Sequence, residues 1–234
     1  MNQVKVISHT FLTLVSAFVI NKASFAEPVN LSQITSPASI TQLKTEIITY
    51  HDSGEYIKEV AVVAEQARQY INSRADANNK SSHPQQLAIV LDIDDTTLSN
   101  YEHMVERDFS ADSAKIHASL LEADAPAIEP MLVLYNDAIA HNVTVFFVTG
   151  RNDSELAATK KNLEHAGYQG YKALYIKPMP YPHSSAVPFK SATRAAITKQ
   201  GYTIIASIGD QYSDLAGGYA EKTYKLPNPY YYLP

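Results

Sequence analysis

Short apolar runs, each closed by a polar or acidic residue and separated by helical sequence, constrain this chain most. Leu87-Ala88-Ile89-Val90-Leu91 ends at Asp92, Val143–Val148 (VTVFFV) ends at Thr149-Gly150-Arg151, and Thr203–Ile208 (TIIASI) ends at Gly209-Asp210. A weaker run covers Ala173–Ile176. Continuous apolarity over so few residues suits strands buried on both faces. Between the runs, Met131–Ala140, Asp153–His165 and Ser191–Gln200 read as helices. Strand and helix in alternation predict a parallel sheet with helices on both faces. In such a sheet ligands gather beyond the carboxyl ends of the strands. Asp92, Asp94, Thr149 and Asp210 should therefore converge on one place.

The expected architecture is an α/β, Rossmann-like three-layer sandwich with a small helical insert. The size allows one domain with one core: 234 residues, 45% hydrophobic and 18% charged. Residues 1–26 are set apart. Lys5 precedes the apolar run Phe11–Ile20, and Ser24-Phe25-Ala26 puts small residues ahead of a cut before Glu27. That is the layout of a Sec-type signal peptide, and the run is shorter than the ~20 residues of a membrane span. The mature chain, 27–234, is then expected free in a periplasmic or secreted location. The formal net charge is −5 and no basic run occurs, which disfavours a nucleic-acid partner. No cysteine is present, which excludes disulfides, thiolate catalysis and cysteine-ligated metals. The oligomeric state stays open, and a homo-oligomer is compatible with the sequence.

A helix is expected around Ser39–Tyr50. Asp52 and Glu55 have capping-box spacing, with the Ser53 hydroxyl as a rival cap. Ile57, Val60, Ala61, Ala64, Ala67 and Ile71 then recur at helical spacing. Ala75–Pro84 (ADANNKSSHP) reads as a polar loop.

In Asp92-Ile93-Asp94-Asp95-Thr96, a carboxylate at a strand end can attack phosphorus and form an acyl phosphate. Asp94, two residues on, can protonate a leaving alcohol and then deprotonate water. A raised pKa would suit it, and neighbouring carboxylates would favour one. The plainer reading is an acidic turn closing a strand.

Four motifs in order resemble the haloacid dehalogenase superfamily: Asp92–Thr96 as DxDxT, Thr149 in VTGR, Lys190 in PFKSATR, and Asp210 with Asp214 in GDQYSD. DIDDTTLSN and the tail KLPNPYYY resemble its class B-type (subfamily IIIB) secreted acid phosphatases, over roughly Tyr50 to the C-terminus. The resemblance implies Asp92 as nucleophile and metal ligand, and Asp94 as acid/base and ligand through its main-chain carbonyl. Asp210 would give the metal a second carboxylate, and Asp214 would hold the metal or its loop. The implied cofactor is Mg2+, which takes few protein oxygens and keeps several waters. Thr149 and Gly150 would bind the phosphoryl group and Lys190 would neutralise it.

Rival readings stand beside these. Thr149, Asn152 or Asp153 could cap the following helix, and Lys177 competes for the role of Lys190. Arg151 could bind substrate phosphate or hold an acidic neighbour. The insert, about residues 98–130 with a helix at Ser113–Glu122, is too small for a full cap domain, so small phosphomonoesters would have open access. Tyr101, His103 and Met104 could wall the leaving group or pack on the sheet edge. The eight histidines show no ligand pattern. The implied activity is hydrolysis of phosphate monoesters. The alternatives are phosphotransfer to alcohol acceptors, or a storage or binding protein with vestigial activity.

Overall fold

A computed structural model describes residues 37–233. The signal peptide read at 1–26 and its cut before Glu27 lie outside the described residues. Helix α1 (Ile40–Asp52) starts at Ser39, whose hydroxyl accepts from Gln42 N at 3.2 Å. The Asp52–Glu55 capping box does not form. Helix α2 (Glu55–Asn79) follows Gly54, which sits at φ 80° with no side-chain cap. Glycine tolerates that left-handed turn, and the turn leaves Asp52 at the end of α1, where its carboxylate accepts from Tyr101 Oη at 2.8 Å. The rival cap is weak, with Ser53 Oγ 3.4 Å from Glu55 N.

Helix α2 buries Tyr56, Val60, Ala64, Ala67, Ile71 and Ala75, every third or fourth residue. Because Ala75 extends that stripe, helix replaces the first half of the expected polar loop. Asn78 ends it: its side chain donates to Gln85 O at 3.0 Å and accepts from Gln85 N at 2.8 Å, which leads directly into the sheet.

The chain continues through β1 (Gln86–Leu91), α3 (Tyr101–Glu106), α4 (Ser113–Glu122), α5 (Glu129–Ala140), β2 (Thr144–Asn152), α6 (Leu156–His165), β3 (Ala173–Lys177), α7 (Val187–Lys199), β4 (Tyr202–Gly209) and β5 (Lys222–Lys225). All sheet pairs are parallel, in the order β3-β2-β1-β4-β5. Helix α4 has the bounds expected from sequence, and Asp112 caps it by accepting from Ala114 N and Lys115 N. The edge strand β5 was not expected.

Strand residues alternate between two cores, as their two-residue period requires. Leu87, Ile89, Leu91, Val145 and Phe147 join α2 and α5 in the larger cluster. Ala88, Val90, Phe146 and Val148 meet Ile197 of α7 on the opposite face. Between β1 and β4 the register slips: Ala88 pairs with Ile204 but Ile89 with Ala206. The extra residue, Ile205, shares the larger cluster with Ala206, as at a β-bulge.

From β1 the chain builds outward through β2 to β3, then returns to lay β4 on the other side of β1. Connections at the carboxyl ends of β1 and β4 therefore diverge and leave a crevice. Leu91 pairs with Ile208, so Asp92 and Asp210 leave adjacent strands side by side.

Candidate active site

Three carboxylates meet in that crevice. Asp92 follows β1, Asp210 follows β4, and Asp214 closes a single 3-10 turn (Tyr212–Asp214) on the same loop. All three are buried, and one oxygen from each lies within 4.8 Å of the others. Lys190, in the first turn of α7, donates to Asp92 Oδ1 at 2.6 Å and also to Asp214 Oδ1. Lys177, its rival, ends β3 with its ammonium 5.5 Å from the Tyr181 ring centroid. Asp214 reaches the group because residue 209 is glycine: a Cβ there would overlap the Asp214 side chain.

Asp94 points into a second arm. Arg151 Nη2 donates to its Oδ1 at 2.8 Å, and Arg151 Nε lies 3.1 and 3.2 Å from the two oxygens. Asn100 Nδ2 adds a bond at 2.9 Å, and Thr149 Oγ1 is 3.5 Å away. Arg151 is itself buried and donates to Thr159 Oγ1 at 3.1 Å. Of its two readings, the geometry matches the one in which Arg151 holds an acidic neighbour. Thr149 accepts from Arg151 N at 3.1 Å. The following turn is capped by Asn152, which accepts from Ser154 N at 2.9 Å, so Thr149 is free of that duty. Gly150 lies beside Thr149 at the open end of β2, where a Cβ would meet nothing within 4 Å.

Burial acts on every one of these groups, and the neighbouring charges decide whether it prevails. Burial and the Asp214 carboxylate push Asp92 well above the usual carboxylate range, although Lys190 pulls the other way. Burial and Asp214 also raise Asp210, against donors from Asn228 and Gln211. Burial opposes the charge on Lys190 too, but Asp214 and Asp92 outweigh it and raise its pKa. Asp94 departs from the raised value expected of it. Burial would raise its pKa, yet the Arg151 guanidinium overrides that and holds it below the usual range.

The donor set fits a small hard cation. Three formal negative charges face one ammonium, leaving −2 among buried carboxylates. A divalent ion with oxygen ligands would offset that excess. Asp92, Asp210 and Asp214 would hold it, and the Asp94 carboxylate stands apart with Arg151.

Several functional neighbours escaped sequence reasoning. Thr96 Oγ1 donates to Asp210 Oδ1 at 3.1 Å and accepts from Asp210 N at 3.0 Å, tying the two loops together. The DxDxT motif contains this residue but gave it no partner. Asp95 is buried at φ 54°, and burial, with Asp210 second, pushes its pKa up to about 7. Arg194, one turn after Lys190 on α7, donates to the carbonyls of Asp214 (2.7 Å), Gly218 (2.9 Å) and Ala216. Its position in PFKSATR was the available signal. Asn228 and Tyr231 of the tail reach Asp210 and Asp95.

Around the insert, Tyr101 and Met104 are buried, and Tyr101 stacks on His51 of α1 and packs against Tyr230 of the tail. His103 pairs its ring nitrogens with Asp124 (2.9 Å) and Glu106 (3.2 Å). His103, Glu122 and Asp124 each offer one atom within 4.8 Å of the others. The two ring-nitrogen contacts to carboxylates match an imidazolium held by ion pairs.

Comparison with known proteins shows the family and the fold. The family model described as HAD superfamily, subfamily IIIB (Acid phosphatase) matches residues 12–234. The stem 28 kDa glycoprotein of Glycine max is 34% identical over 165 residues, 67% of this chain and 64% of that protein. Acid phosphatase 1 of Solanum lycopersicum is 30% identical over 148 residues, 62% of this chain and 58% of the relative. The chain thus spans less than two thirds of the length of these relatives. The class C acid phosphatase from Bacillus anthracis shares the fold, with a TM-score of 0.64 at 21% identity, covering 82% of this chain and 86% of that one. With four motifs converging on one crevice and the family model spanning nearly its whole length, this chain belongs to the HAD superfamily, subfamily IIIB, the acid phosphatase subfamily.

Proposed function

We propose that the chain hydrolyses phosphate monoesters through an aspartyl-phosphate intermediate, with Asp92 as nucleophile and Asp94 as general acid and base. The reading rests on one observation: three buried carboxylates from two neighbouring loops share a pocket with a single lysine. The cation proposed is Mg2+, which Asp92, Asp210 and Asp214 would hold, together with the main-chain carbonyl of Asp94 as the resemblance implies. When bound, it screens the repulsion between anionic nucleophile and anionic substrate.

In the first step an Asp92 oxygen attacks phosphorus in line, the bond to the leaving oxygen breaks, and that oxygen takes a proton from Asp94. In the second, water gives a proton to Asp94 and attacks phosphorus. The bond to Asp92 then breaks and phosphate departs. Lys190 and the Thr149-Gly150 segment of β2 stabilise the phosphoryl oxygens. Arg151 orients Asp94. The negative charge of a phosphoryl group arriving beside Asp94 disfavours the ionised carboxylate and raises its proton affinity toward that of a general acid, while Arg151 keeps it in place.

Export completes the reading, supported by the Lys5, Phe11–Ile20 and Ser24–Ala26 pattern. Among the described residues no helix is long and apolar enough to cross a membrane.

The test is turnover of p-nitrophenyl phosphate by the purified chain with Mg2+ and with EDTA. We expect metal-dependent release, and a kcat for Asp92→Asn lower by at least roughly 10³-fold. Full activity in that variant removes Asp92 as nucleophile, and wild-type protein inactive with every phosphomonoester tried points to a storage role. Glycerol added to the assay separates transfer to an alcohol from release to water.

A further inference from the structure

The tail after β5 is joined to both acidic loops. Leu226 N donates to Gly209 O at 2.9 Å and fixes where it begins. Asn228 Nδ2 then donates to Asp210 Oδ2 at 2.5 Å. The amide of Asn228 can present only its nitrogen there, because its oxygen accepts from Tyr230 N (2.8 Å) and Tyr231 N (3.3 Å). Gln211 repeats the device. Its Nε2 donates to the same Asp210 oxygen at 2.7 Å, while its Oε1 accepts from Leu233 N at 3.0 Å. Main-chain N–H groups of the tail therefore orient two amides whose donors converge on one carboxylate oxygen. Tyr231 Oη reaches the other loop and donates to Asp95 Oδ2 at 2.8 Å. The Asp95 Oδ1 atom accepts from Asn100 N at 3.0 Å, and Asn100 Nδ2 holds Asp94. The tail ring of Tyr230 packs against Tyr56 and Tyr101 and fixes the segment from outside.

We propose that residues 226–233 form a strap that sets the cation affinity of the site, with Asn228 as a positioning residue for Asp210 and Tyr231 anchoring the strap to the loop after β1. Outer partners that orient ligand carboxylates commonly govern metal affinity by ten- to a hundredfold. This inference rests on the metal reading above, and deepens it by giving a structural cause to the affinity.

Binding of Mg2+ itself, measured by calorimetry on folded protein well below its melting transition, tests the strap without activity. In Asn228→Ser the hydroxyl can still accept from the tail N–H groups but no longer reaches Asp210. We expect its Mg2+ dissociation constant to rise by about tenfold or more, and Tyr231→Phe to shift it in the same direction. A purely structural tail would instead lower the metal-free melting temperature and leave that constant unchanged. If Asn228→Ser fails to fold, Tyr231→Phe, which keeps the ring, carries the test alone. Wild-type protein that binds Mg2+ as tightly as both folded variants overturns the strap only. Wild-type protein that does not bind Mg2+ overturns the metal reading, and the strap with it.

Discussion

At the scale of single residues, the site depends on close approaches that leave little freedom. Gly209 is one: a methyl group there meets the Asp214 carboxylate. Gly209→Ala should cost about 1–3 kcal/mol of stability, as overpacking does, and weaken Mg2+ binding as well. A denaturant titration and a calorimetric titration would show the two losses together. Arg151 is another. Its planar fork meets both oxygens of Asp94, and an ammonium cannot reproduce that contact. Arg151→Lys should lower kcat by about 10²-fold through misplacement of the acid with little change in KM. A rise in KM at constant kcat would instead mark Arg151 as a phosphate ligand. The residues legible in the sequence were those that close apolar runs, Asp92, Asp94, Thr149 and Asp210, together with Lys190 and Asp214, which the motifs marked. Gly209, Arg194, Asn228 and Tyr231 were not, because each acts through a contact that only the folded chain creates. The pKa direction of Asp94 differs from the expected one for the same reason, since Arg151, which lowers it, is 57 positions away.

Among the elements, legibility followed periodicity. Helix α4 had its expected bounds, and α2 was expected from its apolar spacing, but the face was slightly misread. Ile57 is 38% exposed, whereas Tyr56, outside the expected series, is buried. Ile71→Ala should cost about 2–5 kcal/mol and Ile57→Ala within about 0.5 kcal/mol, a difference that urea unfolding resolves. Strand β5 (KTYK) escaped notice because an exposed edge strand has no continuous apolar run; its lysines also guard the sheet edge. Around α3 the expected pH dependence has a definite sign. Burial lowers the proton affinity of His103, but Asp124 and Glu106, with Glu122 nearby, outweigh it and raise its pKa above 6.5. A raised folded-state pKa stabilises fully below the unfolded value, and the gain fades as pH climbs through the raised one. The melting-temperature gap between wild type and His103→Asn should therefore narrow as pH rises above about 6.5.

For the molecule as a whole, an ion that binds only the folded chain must stabilise it. At a Mg2+ concentration a hundredfold above its dissociation constant the gain is about 2.7 kcal/mol. Scanning fluorimetry should show the melting temperature rising by several degrees with Mg2+ and falling back with EDTA; an unchanged transition would count against the site. The parallel sheet and its functional edge were readable early, because apolar runs mark strands and strand ends mark the crevice. The order of strands was not, since it depends on which neighbour each run finds. Lys190 and Arg194 stand four residues apart on one face of α7, the first gripping two carboxylates and the second three carbonyls of the loop after β4. A slight roll of that helix would shift the pocket's cation and its acidic wall at once. Charge and loop shape thus travel as a coupled unit, so a successful redesign of either must alter both.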